Sequence, residues 1–218
     1  MSRHDAVIFD NDGVLIPPPG HDMLETVVSE VLERFDIPPQ RDTKEPLLAG
    51  EYDSLKALAT RHGVAPGVLW RERERICHER QAQAMGTDDR TPYDDLDALE
   101  HIGNGRPLGI VSNNQHQTIE LLVKHFGLSD TFDTWYGAEP TIKGLQRRKP
   151  NSYYLEQAID DLDASRPLYI GDSESDIRAA KAAGADVFFL RRQHRQNYHL
   201  SVTPDREIAS LDEVLRYS

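Results

Sequence analysis

Three short apolar runs each end in residues able to do polar chemistry. Ala6-Val7-Ile8-Phe9 leads into Asp10-Asn11-Asp12-Gly13, Leu108-Gly109-Ile110-Val111 into Ser112-Asn113-Asn114, and Leu168-Tyr169-Ile170 into Gly171-Asp172-Ser173. Asp10 and Asp12 are separated by one residue, so in extended backbone both carboxylates fall on one side and can address one centre. Gly13 permits a tight turn directly after them. Asp172 and Asp176 supply two more carboxylates at another strand end. Four acids at one edge repel one another unless a cation joins them, and hard oxygen donors select Mg²⁺ over zinc or copper. Lys149, before Pro150, adds the opposite charge, and Ser112 and Asn113 add neutral donors.

These runs are continuous rather than alternating, the pattern of parallel strands covered on both faces. Between and after them lie apolar spacings of three and four: Ile119-Leu122-Val123-Phe126, Tyr154-Leu155-Ala158-Ile159 and Ile177-Ala180-Ala183. Phe132–Tyr136 and Val187–Leu190 read as further strands, and Ile208–Leu215 as a closing helix. Strand and helix in alternation predict an α/β fold, a doubly wound parallel sheet whose ligand sits beyond the carboxyl ends of the strands. From Pro17 to Thr91 the pattern is helical only, with Leu24-Val27-Val28-Val31-Leu32, Leu55-Leu58-Ala59 and Val68 to about Ala84. Turn-rich segments, Pro17-Pro18-Pro19-Gly20 and Asp88-Asp89-Arg90-Thr91-Pro92, bound it. The expected organisation is a core of residues 1–16 and 92–218 with an all-helical domain, 17–91, inserted after the first strand. The run Arg71-Glu72-Arg73-Glu74-Arg75 reads as a solvated helix face with ion pairs.

The set resembles the haloacid dehalogenase superfamily of phosphohydrolases, matching its four motifs in order. Phe9-Asp10-Asn11-Asp12-Gly13-Val14-Leu15 is similar to the first, Ser112-Asn113 to the second, Lys149-Pro150 to the third, and Gly171-Asp172-Ser173-Glu174-Ser175-Asp176 to the fourth. The helical insert lies where that family places its type-one cap on a Rossmann-like core. The resemblance implies that Asp10 attacks phosphorus and Asp12 serves as acid and then base. Asp10, Asp12 (through its carbonyl), Asp172 and Asp176 would hold Mg²⁺, while Ser112, Asn113 and Lys149 would bind the phosphate. A Mg²⁺-dependent phosphatase acting on a small phosphorylated metabolite, phosphoglycolate-type or sugar phosphate, is the leading expectation. A sugar-phosphate mutase of the β-phosphoglucomutase type uses the same core, and a non-catalytic binding protein of the same fold is the third reading. Dehalogenases of the superfamily lack the second acid of the first motif; Asp12 is present here.

Several assignments have local rivals. Asp176 also suits the positive end of a helix, Ser112 the cap of the helix starting near Gln115, and Lys143 is the alternative phosphate-binding base. Asn151 stands where relatives often carry Asp and caps equally well. Cys77 reads as a buried small hydrophobe, and His194 and His199 as residues of a polar surface loop. Arg41, Lys44 and the Ala49-Gly50-Glu51-Tyr52 loop are the candidate specificity contacts.

Composition narrows the partners. The 218 residues carry 25 Lys+Arg against 37 Asp+Glu, a net charge of −12, which argues against nucleic acid and anionic membrane surfaces. A single cysteine excludes an intrachain disulfide and a cysteine-based zinc site. No apolar stretch approaches a membrane span, so a cytoplasmic protein is expected. Only 6 of the basic residues are Lys and 19 are Arg; an acidic, Lys-poor surface suits concentrated salt, so a halophilic source is a further expectation.

Overall fold

The first strand sits at the centre of the architecture, for a reason visible in its residues. β1 (Ala6–Phe9) has no exposed side chain, so it needs apolar cover on both faces and a neighbour on both edges. In the computed structural model, which describes residues 4–87 and 90–217, it pairs in parallel with β2 (Leu108–Gln115) on one side and β4 (Pro167–Gly171) on the other. Adding β3 (Thr134–Ala138), β5 (Asp186–Leu190) and β6 (Arg206–Ile208) gives one parallel sheet of order β3-β2-β1-β4-β5-β6. Chain order reverses at β1, and the crevice at such a switch point is where α/β sheets bind ligands.

Four helices follow β1: α1 (His21–Arg34), α2 (Arg41–Ala49), α3 (Tyr52–Arg61) and α4 (Pro66–Gly86). They build their own apolar core around Val27, Val31, Leu55, Leu69 and Trp70, joined by Leu145 from the α/β part. The two connecting segments run side by side, with Tyr93 N–H donating to the Leu15 carbonyl (3.1 Å). Asp88 and Asp89 of the expected second linker lie outside the described residues.

The sheet is covered by α5 (Ala98–Ile102), α6 (His116–His125), α7 (Ile142–Gln146), α8 (Tyr153–Asp161) and α9 (Glu174–Ala182). One face packs Phe9, Ile110, Ile119 and Ile170, the other Ile8, Val111, Leu155 and Tyr169. The C-terminal region differs from expectation. Ile208 ends β6 instead of opening a helix, and only α10 (Val214–Tyr217), after a 3₁₀ turn at Leu211–Glu213, is helical. Parallel pairing of Ile208 with Leu190 decides this, since it satisfies backbone that a lone helix of about two turns would have had to satisfy internally. α2, α5 and α7 were not legible in the apolar spacing: α5 and α7 have 5 residues each, and Pro46 interrupts α2.

Candidate active site

At the carboxyl edge of the sheet, β1, β2 and β4 deliver their terminal residues to one cleft of about 260 Å³, lined by Asp10, Asp12, Ser112, Asn113, Lys149 and Asp172 among others. The turn after β1 depends on Gly13. Its φ of +87° is a left-handed conformation that side chains rarely adopt, and an added Cβ would collide with the Asp172 carboxylate. The acids therefore meet because one position between them has no side chain.

Asp10, Asp172 and Asp176 are all buried, and each offers an oxygen within 4.8 Å of the others. Charges this close repel by roughly 3 kcal/mol per pair at an effective dielectric near 20. Burial pushes the Asp10 carboxyl well above the usual carboxylate range; Lys149 pulls it down, and Asp176, Asp172 and Asp12 push it up again. Lys149 Nζ lies 2.9 Å from Asp10 and 2.6 Å from Asp176. Burial alone would lower the Lys149 ammonium, yet those two carboxylates outweigh it and push it up to about 12. Burial likewise resists charge on Asp172, but His194 (2.7 Å) and Arg195 (2.9 Å) hold that carboxyl below its ordinary range.

This donor set fits a hard divalent cation unequally. Asp10 Oδ1 accepts from the Asn11 N–H (2.7 Å) and faces Lys149, while Oδ2 takes no hydrogen bond from the described residues. Asp176 has little capacity left. Its Oδ2 accepts from Asp172 N–H (3.1 Å), Ser173 N–H (2.9 Å) and Ser173 Oγ (2.6 Å), and its Oδ1 faces Lys149. The helix-end reading of Asp176 is met, because Ser173 and Asp176 form a reciprocal capping box at the start of α9. Asp10 and Asp172 are the available direct donors; Asp176 orients the loop and anchors Lys149.

The structure also places the remaining sequence candidates. Asn113 turns its side chain to the Lys149 backbone, accepting from the N–H (2.8 Å) and donating to the carbonyl (3.0 Å), which fixes where Lys149 projects. Ser112 Oγ accepts from Asn114 N–H (3.2 Å) and lines the cleft. Lys143 is exposed on α7, and Arg147 stacks on Tyr153 with its guanidinium 3.7 Å from the ring centre. Asn151 Oδ1 caps α8 by accepting from Tyr153 N–H (2.9 Å). Asp12 lies outside the three-acid cluster. It is ion-paired with Arg90 and accepts from Asn11 Nδ2 and Asn114 Nδ2 (2.8 Å each).

Three readings of the sequence need correction. His194 lies in an exposed loop, as expected, yet it and Arg195 reach back to Asp172. Arg41 and Lys44 line a separate hollow, where Lys44 pairs with Glu25 (2.8 Å). The charged run on α4 divides: Arg75 pairs with Glu72 and Glu79 at the surface, as expected, but Arg73 and Glu74 are buried. A sequence signal existed for this. The inward stripe of α4, Leu69-Trp70 to Ile76-Cys77 to Gln81, continues through positions 73 and 74 at helical spacing. Cys77 is buried as expected, and it also lines the cleft.

Arg90, Gln81 and Asn114 carry no site role in the sequence reading, though Asn114 ends the second apolar run and Arg90 sits in the second linker. Arg90 Nη1 donates to Gln81 Oε1 (2.6 Å) and its Nε to the Pro17 carbonyl (3.2 Å), while Asn114 Nδ2 also reaches Gln81 Oε1 (2.7 Å). Arg90 therefore ties α4, both connecting segments and Asp12 into one unit.

A central parallel sheet with paired acids at its switch point and helices inserted after its first strand defines an α/β architecture with its site at the strand ends. The chain belongs to the haloacid dehalogenase-like hydrolase family, whose model matches residues 4–184. It is 31% identical over 113 residues to (S)-2-haloacid dehalogenase of Pseudomonas sp. (strain YL), covering 51% of this chain and 47% of that protein. It is 34% identical over 116 residues to phosphoglycolate phosphatase of Neisseria gonorrhoeae, covering 50% and 48%. The chain thus spans about half the length of these curated relatives. The structure of CbbY from Rhodobacter sphaeroides in complex with phosphate superposes with a TM-score of 0.71 at 20% identity, over 97% of this chain and 96% of that one. Among the described residues no helix is long and apolar enough to cross a membrane.

Proposed function

We propose that this chain is a Mg²⁺-dependent phosphatase that hydrolyses a small phosphomonoester through an aspartyl-phosphate on Asp10, with residues 17–91 acting as a cap over residues 1–16 and 92–218. The observation that carries the reading is the position of Asp10: one oxygen anchored by Asn11 N–H and Lys149, the other free of hydrogen bonds from the described residues, at the floor of a cleft. A bound Mg²⁺, held by Asp10 and Asp172 with the Asp12 carbonyl, would neutralise charge on the nucleophile and the phosphoryl group.

Asp10 Oδ2 attacks phosphorus as the ester P–O bond breaks, and Asp12 protonates the departing alkoxide. Asp12 then takes a proton from the water that attacks the aspartyl-phosphate, freeing Asp10 and phosphate. Lys149 and Ser112 donate to the phosphoryl oxygens. The presence of Asp12 supports a phosphoester over a carbon–halogen bond, because halide leaves without a proton and an alkoxide does not. Closure of the helical segment over so small a cleft supports a small leaving group.

Phosphate release from p-nitrophenyl phosphate tests this. Turnover is expected with Mg²⁺ and lost in EDTA and in Asp10→Asn; undiminished activity in either case would refute the mechanism.

A further inference from the structure

The loop that leaves β5 reaches the site with two residues that the mechanism does not use, and both lie beyond the stretch, residues 4–184, that the family model covers. His194 Nε2 and Arg195 Nε meet the same atom, Asp172 Oδ2, at 2.7 and 2.9 Å. A carboxylate only accepts, so Nε2 is the protonated nitrogen of the His194 ring. Among the described residues these are the only hydrogen bonds to the Asp172 carboxylate, which leaves Oδ1 open. His194 also stands over the turn after β1, where a Cβ on Gly13 would come within 3.0 Å of its Nε2. Arg195 lines the cleft.

None of residues 191–200 is buried, and a polar loop of that kind is ordinarily mobile. This one is tied down. Arg191 Nη1 donates to the carbonyls of Arg195 (2.8 Å) and Tyr198 (3.0 Å), and its Nη2 pairs with Glu207 of β6 (2.7 Å). Arg192 forks onto Asp95 (2.7 and 2.8 Å) and donates to the Val14 carbonyl (2.8 Å), next to Gly13. Tyr198 stacks on Phe189 of β5, the rings 9° from parallel. Exposed ion pairs return little stability, about 0–1 kcal/mol each. What this clamp does is hold two donors against one buried oxygen.

Asp10 shows the same division, with Oδ1 held by Asn11 N–H and Lys149 and Oδ2 open. Without its two donors Asp172 would be free to turn from Asp10 and Asp176, whose charges repel it. We propose that His194 and Arg195 are positioning residues for the divalent cation, fixing Asp172 by Oδ2 and so leaving Oδ1 to the metal. This rests on the Mg²⁺ reading above and adds to it two residues that act through Asp172. Hydrogen-bond partners of metal-ligating groups tune affinity in this way. Charge works in the opposite sense, because a guanidinium beside the site repels a cation. The sign of the change on removing Arg195 therefore separates orientation from repulsion.

The experiment titrates Mn²⁺, which takes the same oxygen donors as Mg²⁺, into the metal-free and substrate-free protein. The paramagnetic resonance of the free ion reads its binding, and competition reads the Kd for Mg²⁺. That Kd is expected to rise by about tenfold or more in His194→Ala and in Arg195→Met. His194→Gln, whose amide still donates, is expected to recover most of the loss. A melting curve accompanies each variant; should Arg195→Met not fold, His194→Ala decides. A loop with a merely structural role would lower the melting temperature and leave the Kd for Mg²⁺ in place, which overturns the proposal. Tighter Mg²⁺ binding in either variant also overturns it, since repulsion then outweighs orientation. Both of these results leave the metal dependence standing, whereas no saturable Mn²⁺ binding by the unaltered protein overturns the Mg²⁺ reading beneath.

Discussion

The cleft has two walls of opposite charge logic. The sheet edge gathers Asp10 and Asp176 around Lys149 and sets Asp172 beside them against His194 and Arg195, an excess of carboxylates over paired cations. The facing wall gathers Arg73 of α4 and Arg148, from the segment that also carries Lys149, around Glu74, two cations on one anion. Both excesses are buried, where charge is least tolerable. A net charge of −12 over the chain says nothing of this, because the field a ligand meets is set by the few groups within the cleft.

The contrast can be tested one wall at a time. The largest effect is expected at Lys149, the cation of the sheet edge. Lys149→Met should lower kcat by about 1,000-fold or more, since it removes a phosphate donor and the counter-charge of Asp10 and Asp176 together. Stopped-time phosphate assays measure this, and a loss under tenfold would mean that the acids do not depend on it. On the opposite wall, Glu74→Gln should cost about 3–5 kcal/mol of stability by leaving two buried guanidiniums without an anion. Urea unfolding in the absence of ligand reads the change directly, and a neutral result would show that Arg73 and Arg148 are solvated.

Between the walls stands Arg90, bound to Asp12 on one side and Gln81 on the other. Arg90→Met is expected to lower kcat by roughly 10- to 100-fold while KM moves little, because it misplaces the proton-transfer group rather than the phosphate site. An equal change in both constants would argue for a general loosening of the helical segment instead.

The smallest effect is thermodynamic and depends on pH. Burial raises the Asp10 carboxyl in the folded state, so its protonated form favours folding. That contribution is present below the unfolded value and is lost as pH rises through the folded one. Without metal, Asp10→Asn should therefore melt a few degrees higher than the unaltered protein near pH 7.5, the shift that roughly 1–2 kcal/mol gives in a chain of this size. The gain should shrink toward pH 4. A variant that melts lower at neutral pH would show that the pair with Lys149 dominates the burial of Asp10.

How much of this was legible in the sequence follows from distance along the chain. The strand-end acids were readable because each depends on a few neighbours: an apolar run, then Asp10-Asn11-Asp12-Gly13, or Gly171 with the Ser173–Asp176 box. The exchange of strand for helix at Ile208 was not readable, since pairing with β5 decided it. The inward turn of Arg73 and Glu74 was half-readable, being visible in the spacing of α4 yet masked by the charge pattern around it.

Sequence by itself determined the order in which polar groups follow the strands, the alternation that builds the parallel sheet, and the run of helices after the first strand. Those are local properties, fixed by periodicity and turn residues within a few positions. Only the tertiary structure decided that Arg148 meets Glu74 from 74 positions away, that Arg90 meets Asp12 from 78, and that His194 and Arg195 return to Asp172. A charged side chain carries no mark of its partner in the sequence, because ion pairing sets no period and tolerates any separation that the fold can close.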